Sequence, residues 1–349
     1  MFKAFMFFLK QLASIYHYHI HYKSISRNFI KDLMIVDSFG HTYTFGDVRY
    51  KMHSFNPISK TFHIELSFHG MDIEVHVADS CNTIKISGIN LMGIKQVIGA
   101  SALDNWDSVG DMNINIVQDT TTHQYDWLEP TTIDWSGSVQ IIDKQGIKDG
   151  TEWIINSLKD RHHMGQLIHY SDDIKREIMT TEDPFFYEHP GASVKTILRA
   201  AKINSQVNKL IKGGSSITCQ LVKNAFLSQE RSFHRKIVEA CMALIIEQHY
   251  KVPKDDIFDI YLSMIEMAPG VYGLNEGALH YFGRPIAELE SYEFHTLQYF
   301  IPRPIYVPEA INMNSYRFRI GVRVFLEKIY DEKPKVLKFT PPYQHIYLR

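Results

Sequence analysis

Cysteine is scarce in this chain: among 349 residues there are three, Cys81, Cys219 and Cys241. An odd number without C-x-x-C spacing supports neither a disulfide framework nor a cysteine zinc site, and the redox compartment stays open. Long apolar runs are missing too. No window of about 18 apolar residues occurs, so no transmembrane helix is evident. The opening MFKAFMFFLKQLASIYHYHI offers only Ala4 to Leu9 unbroken, between Lys3 and Lys10, and no A-x-A-like cleavage site follows. That is short for the core of a signal peptide. Residues 1–30 read as an interfacial anchor or as the remnant of a longer segment. Net charge is nearly absent as well. At −2 the chain has no overall attraction to nucleic acid, so any electrostatic argument rests on local clusters. What the composition does contain, 45% hydrophobic and 22% charged residues, is that of a globular chain long enough for two cores.

From about residue 33 to 142 the hydrophobic pattern has period two. Phe62, Ile64, Leu66 and Phe68 alternate with polar residues, and past His69 and Gly70 the alternation resumes at Ile73, Val75 and Val77. This predicts a hairpin with one apolar face. Leu33 to Val36, Tyr43 to Tyr50, Ile84 to Ile86, Ile114 to Ile116 and Val139 to Ile142 are further strand candidates, together an antiparallel sheet wet on one side. Past residue 150 the period becomes helical. Trp153 to Leu158 starts a helical pattern, and Asp160 to Asp173 reads as a connection. Helices are expected at Lys236 to Tyr250, Lys254 to Met267, Asn275 to Phe282 and Glu288 to Phe300. Pro302, Pro304 and Pro308 then predict an extended, irregular path. The fold class is α+β, a β-rich antiparallel module over 31–148 followed by a mainly α domain over 165–330, with a tail at 331–349 that lacks a clear period.

The stretch EDPFFYEHPG, Glu182 to Gly191, sets two adjacent carboxylates beside aromatics, a histidine and a glycine. Acid/base chemistry on a hydroxyl needs a carboxylate partly withdrawn from water, and Phe185, Phe186 and Tyr187 are candidates for the apolar wall. The competing reading is a helix end, with Glu182 or Asp183 capping backbone N–H groups and the aromatics in the core. Downstream, GGSSITCQLVKN (Gly213 to Asn224) is followed by RSFHRKIVE (Arg231 to Glu239). Together these segments resemble the family 51 glycosyltransferases, the peptidoglycan transglycosylases found alone or as one domain of bifunctional penicillin-binding proteins. The motif E-D-x-x-F-x-x-H-x-G is matched by Glu182, Asp183, Phe186, His189 and Gly191. The motif G-x-S-T-I-T-Q-Q-L-x-K-N is matched by Gly213, Ser215, Ile217, Thr218, Gln220, Leu221, Lys223 and Asn224, and R-K-x-x-E by Arg235, Lys236 and Glu239. Ile257 to Pro285 looks like the family's Y-L-N-x-x-E-x-x-x-G-x-x-G stretch. Ser216 stands where the family has Thr and keeps the hydroxyl. Cys219 replaces Gln, and Ser263 replaces Asn.

The resemblance implies a lysozyme-like fold for the helical domain and transfer of a growing glycan from polyprenyl pyrophosphate to the 4-hydroxyl of lipid II. By carry-over Glu182 is the base, and Glu239 is the second functional glutamate, orienting phosphate-binding cations or a metal. Asp183 holds a basic partner or a divalent cation, Mg²⁺ being suited to a hard oxygen ligand. Lys223, Arg231, Arg235 and Lys236 lie within 14 residues and suit the pyrophosphate, although such a cluster alone is commonly a solvated face. Ser215, Ser216 and Thr218 supply hydroxyls for sugar or phosphate; with Gln220, Asn224, Phe186, His189 and Gly191 they complete the expected substrate site. Residues 192–212 carry five basic and no acidic side chains among apolar ones, which suits an anionic membrane surface. The expected partners are lipid II, the growing strand, the membrane and other cell-wall synthesis proteins, at the periplasmic face of a bacterial inner membrane. S-x-x-K, S-D-N and K-T-G are not arranged after the helical domain, so cross-linking is not expected.

Two other readings compete. A scaffold decayed at Cys219 and Ser263 would bind lipid II without turnover, and a lysozyme-like glycosidase would also place a Glu beside aromatics. Hydrolysis has no pyrophosphate for the basic cluster to neutralise. His17, His19 and His21 alternate in HYHIHY without a fourth ligand, and neither they nor His162 and His163 are read as a metal site.

Overall fold

The structure is a computed structural model and describes residues 6–7, 10, 19–36, 42–68, 70–89, 104–110, 112–119, 131–136, 140–193, 214–227 and 233–348. Arg231, His17 and the expected membrane segment past Ser193 lie outside the described residues, as do the side chains of Arg235 and Lys236. The chain divides into two compact units. One comprises Met1–Lys148, Pro190–Ser216 and Gln229–His249, the other Asp149–His189, Ile217–Ser228 and Tyr250–Arg349.

The strands of the first unit are β1 (His19–His21), β2 (Ser24–Ile25), β3 (Phe29–Val36), β4 (Thr42–Asn56), β5 (Thr61–Phe68), β6 (Met71–Val77), β7 (Cys81–Ile89), β8 (Trp106–Val109), β9 (Met112–Asp119), β10 (Thr131–Ser136) and β11 (Gln140–Asp143). A nine-stranded antiparallel sheet runs β1-β3-β4-β5-β6-β7-β9-β10, with β2 on β3, while β8 pairs with β11. The predicted hairpin is β5–β6, in register from Phe62 opposite Val77 to Phe68 opposite Met71. Alternation decides its faces. Val48, Tyr50, Phe62, Ile64 and Phe68 are buried in one apolar cluster, which Ile73 and Val75 extend, so residues one position away in sequence point to the other face.

The helices follow in chain order: α1 (Gly150–Asp160), α2 (Asp172–Glu182), α3 (Ile217–Phe226), α4 (Phe233–Leu244), α5 (Lys254–Met264), α6 (Leu274–Phe282), α7 (Ser291–Phe300), α8 (Tyr306–Asn312) and α9 (Tyr316–Tyr330). All but α4 belong to the second unit. Its central element is α5, in which Ile257 to Met264 are all buried. Such a helix is buried on every side because it is surrounded, and its polar Asp259 and Ser263 are buried with the rest. The α+β class holds, with an antiparallel sheet in the amino-terminal part and helices in the carboxy-terminal part.

Three local expectations are corrected. The helix expected through Met267 ends at Met264, and β12 (Glu266–Ala268) pairs with β13 (Val271–Tyr272) around Pro269 and Gly270. Pro269 disfavours helical backbone at Ala268, and Gly270 turns at φ +76°. The helix expected to Tyr250 is α-helical only to Leu244, after which Ile245–His249 form one π-helical turn. Beyond Pro304 the path is helical rather than extended. Pro308 is the third residue of α8, where a backbone N–H has no acceptor within the helix, so proline costs little there. The residues after α9 add a small pairing of β14 (Val336–Leu337) with β15 (Ile346–Tyr347).

Candidate active site

Helix α2 ends at the paired carboxylates. Glu182 is its last residue and Asp183 its cap, at φ −153° and ψ 80°. From there the chain folds into two short turns, in which Phe186 N donates to Asp183 O and Glu188 N to Phe185 O. The loop therefore returns His189 to its start, with Nε2 3.0 Å from Asp183 Oδ2. The spacing of the motif is the length of this return.

The two carboxylates meet different surroundings. Asp183 is fully buried, and its Oδ2 also accepts from Ile217 N at 3.0 Å, the first amide of α3. A carboxylate there satisfies an otherwise orphaned donor and sits at the positive end of the helix dipole. The capping interpretation of Asp183 thus describes a real interaction, made to a helix that begins 34 residues later. Glu182 is only half-buried, and its Oε2 faces Gln220 Nε2 at 3.5 Å. Gln220 in turn accepts from the Tyr261 hydroxyl, also at 3.5 Å. Burial, with the charges of Glu182 and Asp183, pushes the Tyr261 phenol well above its ordinary pKa. It stays a donor across the working pH range.

The expected aromatic wall is arranged differently from the sequence reading. Phe186 is buried against Phe258, with centroids 5.2 Å apart, and the ammonium of Lys254 lies over its ring at 4.3 Å. Tyr187 is exposed and donates to Asp255. The charge of Glu182 is felt by the phenol of Tyr330 and, foremost among the charges acting on it, by that of Tyr261. Tyr261 opens the fourth motif, which is the sequence signal that marks it. Ser263 is buried, donating to Asp259 O and accepting from Ile168 N. Its replacement of Asn therefore sits in scaffold. Asn224 Nδ2 lies 3.0 Å from Met264 Sδ, and Thr218 and Cys219 are buried in α3, where Lys223 is half-buried.

Sequence reasoning missed what anchors α2. Lys175, two turns before Glu182, is buried with Nζ 2.9 Å from Asp259 Oδ1 on α5. Asp259 also accepts from Tyr170 N and meets His169 Nδ1 at 2.9 Å. On the same helix Glu177 reaches His295 Nε2 at 2.8 Å, and Glu332 holds the other ring nitrogen. A lysine and an aspartate about 85 positions apart leave no local signature.

The remaining expected residues belong to the other unit. Gly191 has φ +112°, and a Cβ there would lie 2.5 Å from Ala243 O on α4, so only glycine fits. The Ser216 hydroxyl, buried, donates to Gly191 O, and Ser215 beside it is half-buried. Glu239 is 1% exposed on α4, one turn before Ala243. Arg235 and Lys236 lie on the same helix.

Residues 151–327, just over half of the chain, match the model of the transglycosylase family. The chain belongs to that family. It is 35% identical over 157 residues to the biosynthetic peptidoglycan transglycosylase of Herminiimonas arsenicoxydans, covering 43% of this chain and 67% of that protein. To the enzyme of the same name from Nitrosomonas eutropha it is 40% identical over 134 residues, 38% of this chain and 54% of the relative. Penicillin-binding protein 1B of Escherichia coli is 40% identical over 124 residues, 34% of this chain and 14% of the relative. As a transglycosylase the chain is a glycosyltransferase, and the carboxylate pair lies within the matched region, at the end of its second helix.

The geometry at Asp183 does not suit the expected Mg²⁺. A six-coordinate hard cation needs several oxygens and usually retains water. Asp183 is fully buried, Oδ2 is taken by two N–H donors, and no cluster of three ligating side chains forms around it among the described residues. Its Oδ1 has no hydrogen-bond partner among the described residues.

Proposed function

We propose that this peptidoglycan glycosyltransferase elongates glycan by using Glu182 as the general base on the 4-hydroxyl of lipid II. The observation that carries this is the division between the carboxylates: Asp183 is buried and holds the first amide of α3, while Glu182 is half-exposed beside Gln220. A base must reach its proton, and a buried, doubly hydrogen-bonded carboxylate does not. In the step proposed, Glu182 takes the hydroxyl proton, the oxygen attacks the anomeric carbon of the growing chain, and the bond to the polyprenyl pyrophosphate breaks. Gln220, backed by Tyr261, orients Glu182. Lys223, Arg231, Arg235 and Lys236 neutralise the departing pyrophosphate, with Glu239 as the second functional glutamate. These roles rest on the family resemblance and on the motif positions, as does a lysozyme-like fold for the helical region. A Mg²⁺ dependence of polymerisation, on this reading, belongs to the pyrophosphate oxygens and not to Asp183.

Glu182→Gln is expected to lower lipid II polymerisation by about 10² to 10⁴-fold, the usual contribution of a positioned base, with circular dichroism unchanged. Polymer formation at the wild-type rate would remove Glu182 from this role. The assay also decides between readings: cleavage of preformed glycan would indicate a glycosidase, and binding of lipid II without growth a scaffold.

Membrane attachment is proposed through residues 192–212, at the periplasmic face of the inner membrane. Five basic residues among apolar ones suit anionic headgroups. Vesicles of anionic lipid should sediment the protein, and charge reversal at Lys195, Arg199 and Lys202 should release it. Equal sedimentation of the reversed variant would defeat this part of the reading.

A further inference from the structure

The apolar face of β4, β5 and β6 is buried in the core of the sheet, so the opposite face carries their polar residues. There the register lines up two cross-strand rows. Glu65 stands opposite Lys51 on one side and Glu74 on the other, and Lys85 is opposite Glu74. In the next row His63 stands directly opposite His76. A β-bulge between Met52 and Ser54 leaves His53 as the extra residue of β4. Bulges re-aim side chains, and this one sets the His53 ring on the His63 ring, with centroids 4.3 Å apart and planes 19° from parallel.

We propose that this face binds a first-row divalent transition-metal ion through His53, His63 and Glu65. Each offers one donor atom, and the three atoms lie within 4.8 Å of one another. His53 Nε2 is 2.6 Å from Glu65 Oε1, and that hydrogen bond leads the causes that hold the Glu65 carboxyl below its ordinary value, with Lys51 contributing. Glu74 reaches His63 Nε2 at 2.8 Å. A carboxylate behind a ligating imidazole is the usual device for fixing the ring and raising its basicity.

Accessibility allows an ion to enter from solvent. The side chains of His53, His63 and Glu65 are 30%, 26% and 43% exposed, enough to rotate while the backbone stays in the sheet. Metal–ligand lengths of about 2.0 to 2.2 Å are then within reach. Two imidazoles with one carboxylate suit zinc, copper or nickel, whereas magnesium and calcium prefer oxygen alone. Each imidazole would donate the lone pair of one ring nitrogen, leaving the other free for a carboxylate.

Isothermal titration of the full chain with zinc chloride, and absorption spectra of the Co²⁺ form, test the site. One equivalent is expected to bind to the wild type. His53→Ala with His63→Ala should lose that equivalent with circular dichroism unchanged, and Glu74→Gln should weaken it by about 10- to 100-fold. A variant lacking His19 and His21, the two histidines of β1, should keep it. Should the double variant not fold, Glu65→Gln replaces it, with at least a tenfold loss of affinity expected. The site is overturned if no zinc binds, if His53 and His63 are dispensable, or if the equivalent disappears with His19 and His21; the rows are then a surface charge ladder only.

Discussion

Adjacent carboxylates of the same chemistry take different roles because one residue of chain rotates a side chain out of the core. Asp183 accepts from Ile217 N and from His189 Nε2, both at 3.0 Å. Asp183→Ala removes the buried acceptor that Ile217 N and the His189 imidazole share. It should destabilise the protein by about 3 kcal/mol in urea denaturation, as removal of one member of a buried pair does. Glu182→Gln, at a half-exposed position, should change stability by less than about 1 kcal/mol. The two variants thus separate structure from chemistry. If Asp183→Ala denatures like the wild type while Glu182→Gln is the unstable one, the assignment of roles is reversed.

Helix α2 presents Glu182 only as well as it is itself held. Lys175 and Asp259 form its buried anchor to α5, assisted by Tyr170 N, and His295 bridges Glu177 to Glu332 while stacking on Tyr330 at 3.6 Å. Lys175→Ala removes the cation from a buried carboxylate. It should cost about 3 kcal/mol and reduce polymerisation together with stability, whereas exposed Lys159 replaced by Ala should do neither. Unchanged melting of Lys175→Ala would show that Asp259 is satisfied without it. At this scale β3 to β7, β9, β11 and the α1, α6 and α7 helices are legible, because hydrophobic period is a local property, whereas β1, β2, β8, β10, α2, α3 and α9 are not among the elements expected from it. Two further departures, α8 with proline inside its first turn and the switch from α5 to the β12–β13 hairpin, arise because a breaker residue's effect depends on its position within the element, which composition does not give.

Across the whole molecule, burial acts on the tyrosines in one direction. Tyr170 and Tyr330 are pushed up to about 12 by desolvation, with nearby carboxylates adding to it. Their folded pKa exceeds the unfolded value near 10, so the stability they contribute is complete below about pH 10 and is lost as the pH rises toward 12. Denaturation midpoints should therefore be flat through neutral pH and fall steeply above about pH 10. Absorbance at alkaline pH should show a late group of phenols that titrate with unfolding. Titration of every tyrosine near pH 10, with the fold intact, would contradict this. The same scale holds the division of the chain into a sheet-bearing unit and a helical unit, with Pro190–Ser216 and Gln229–His249 assigned to the former. Period alone places those segments with the helices that flank them in sequence; only contacts between distant residues assign them otherwise.

By itself the sequence determined the family, through motifs in order, and the change from period two to a helical period, because both are written in local spacing. It also singled out Glu182 and Asp183 as a pair. Which of the two is buried was decided only by tertiary structure, since the donors that claim Asp183 come from His189 after a turn and from Ile217 at the start of another helix. The neighbour that shares the field of Glu182, Tyr261, and the anchor of its helix, Asp259, both lie on α5. Desolvation and pairing depend on distance in space, and across nearly eighty residues of intervening chain no spacing rule records them.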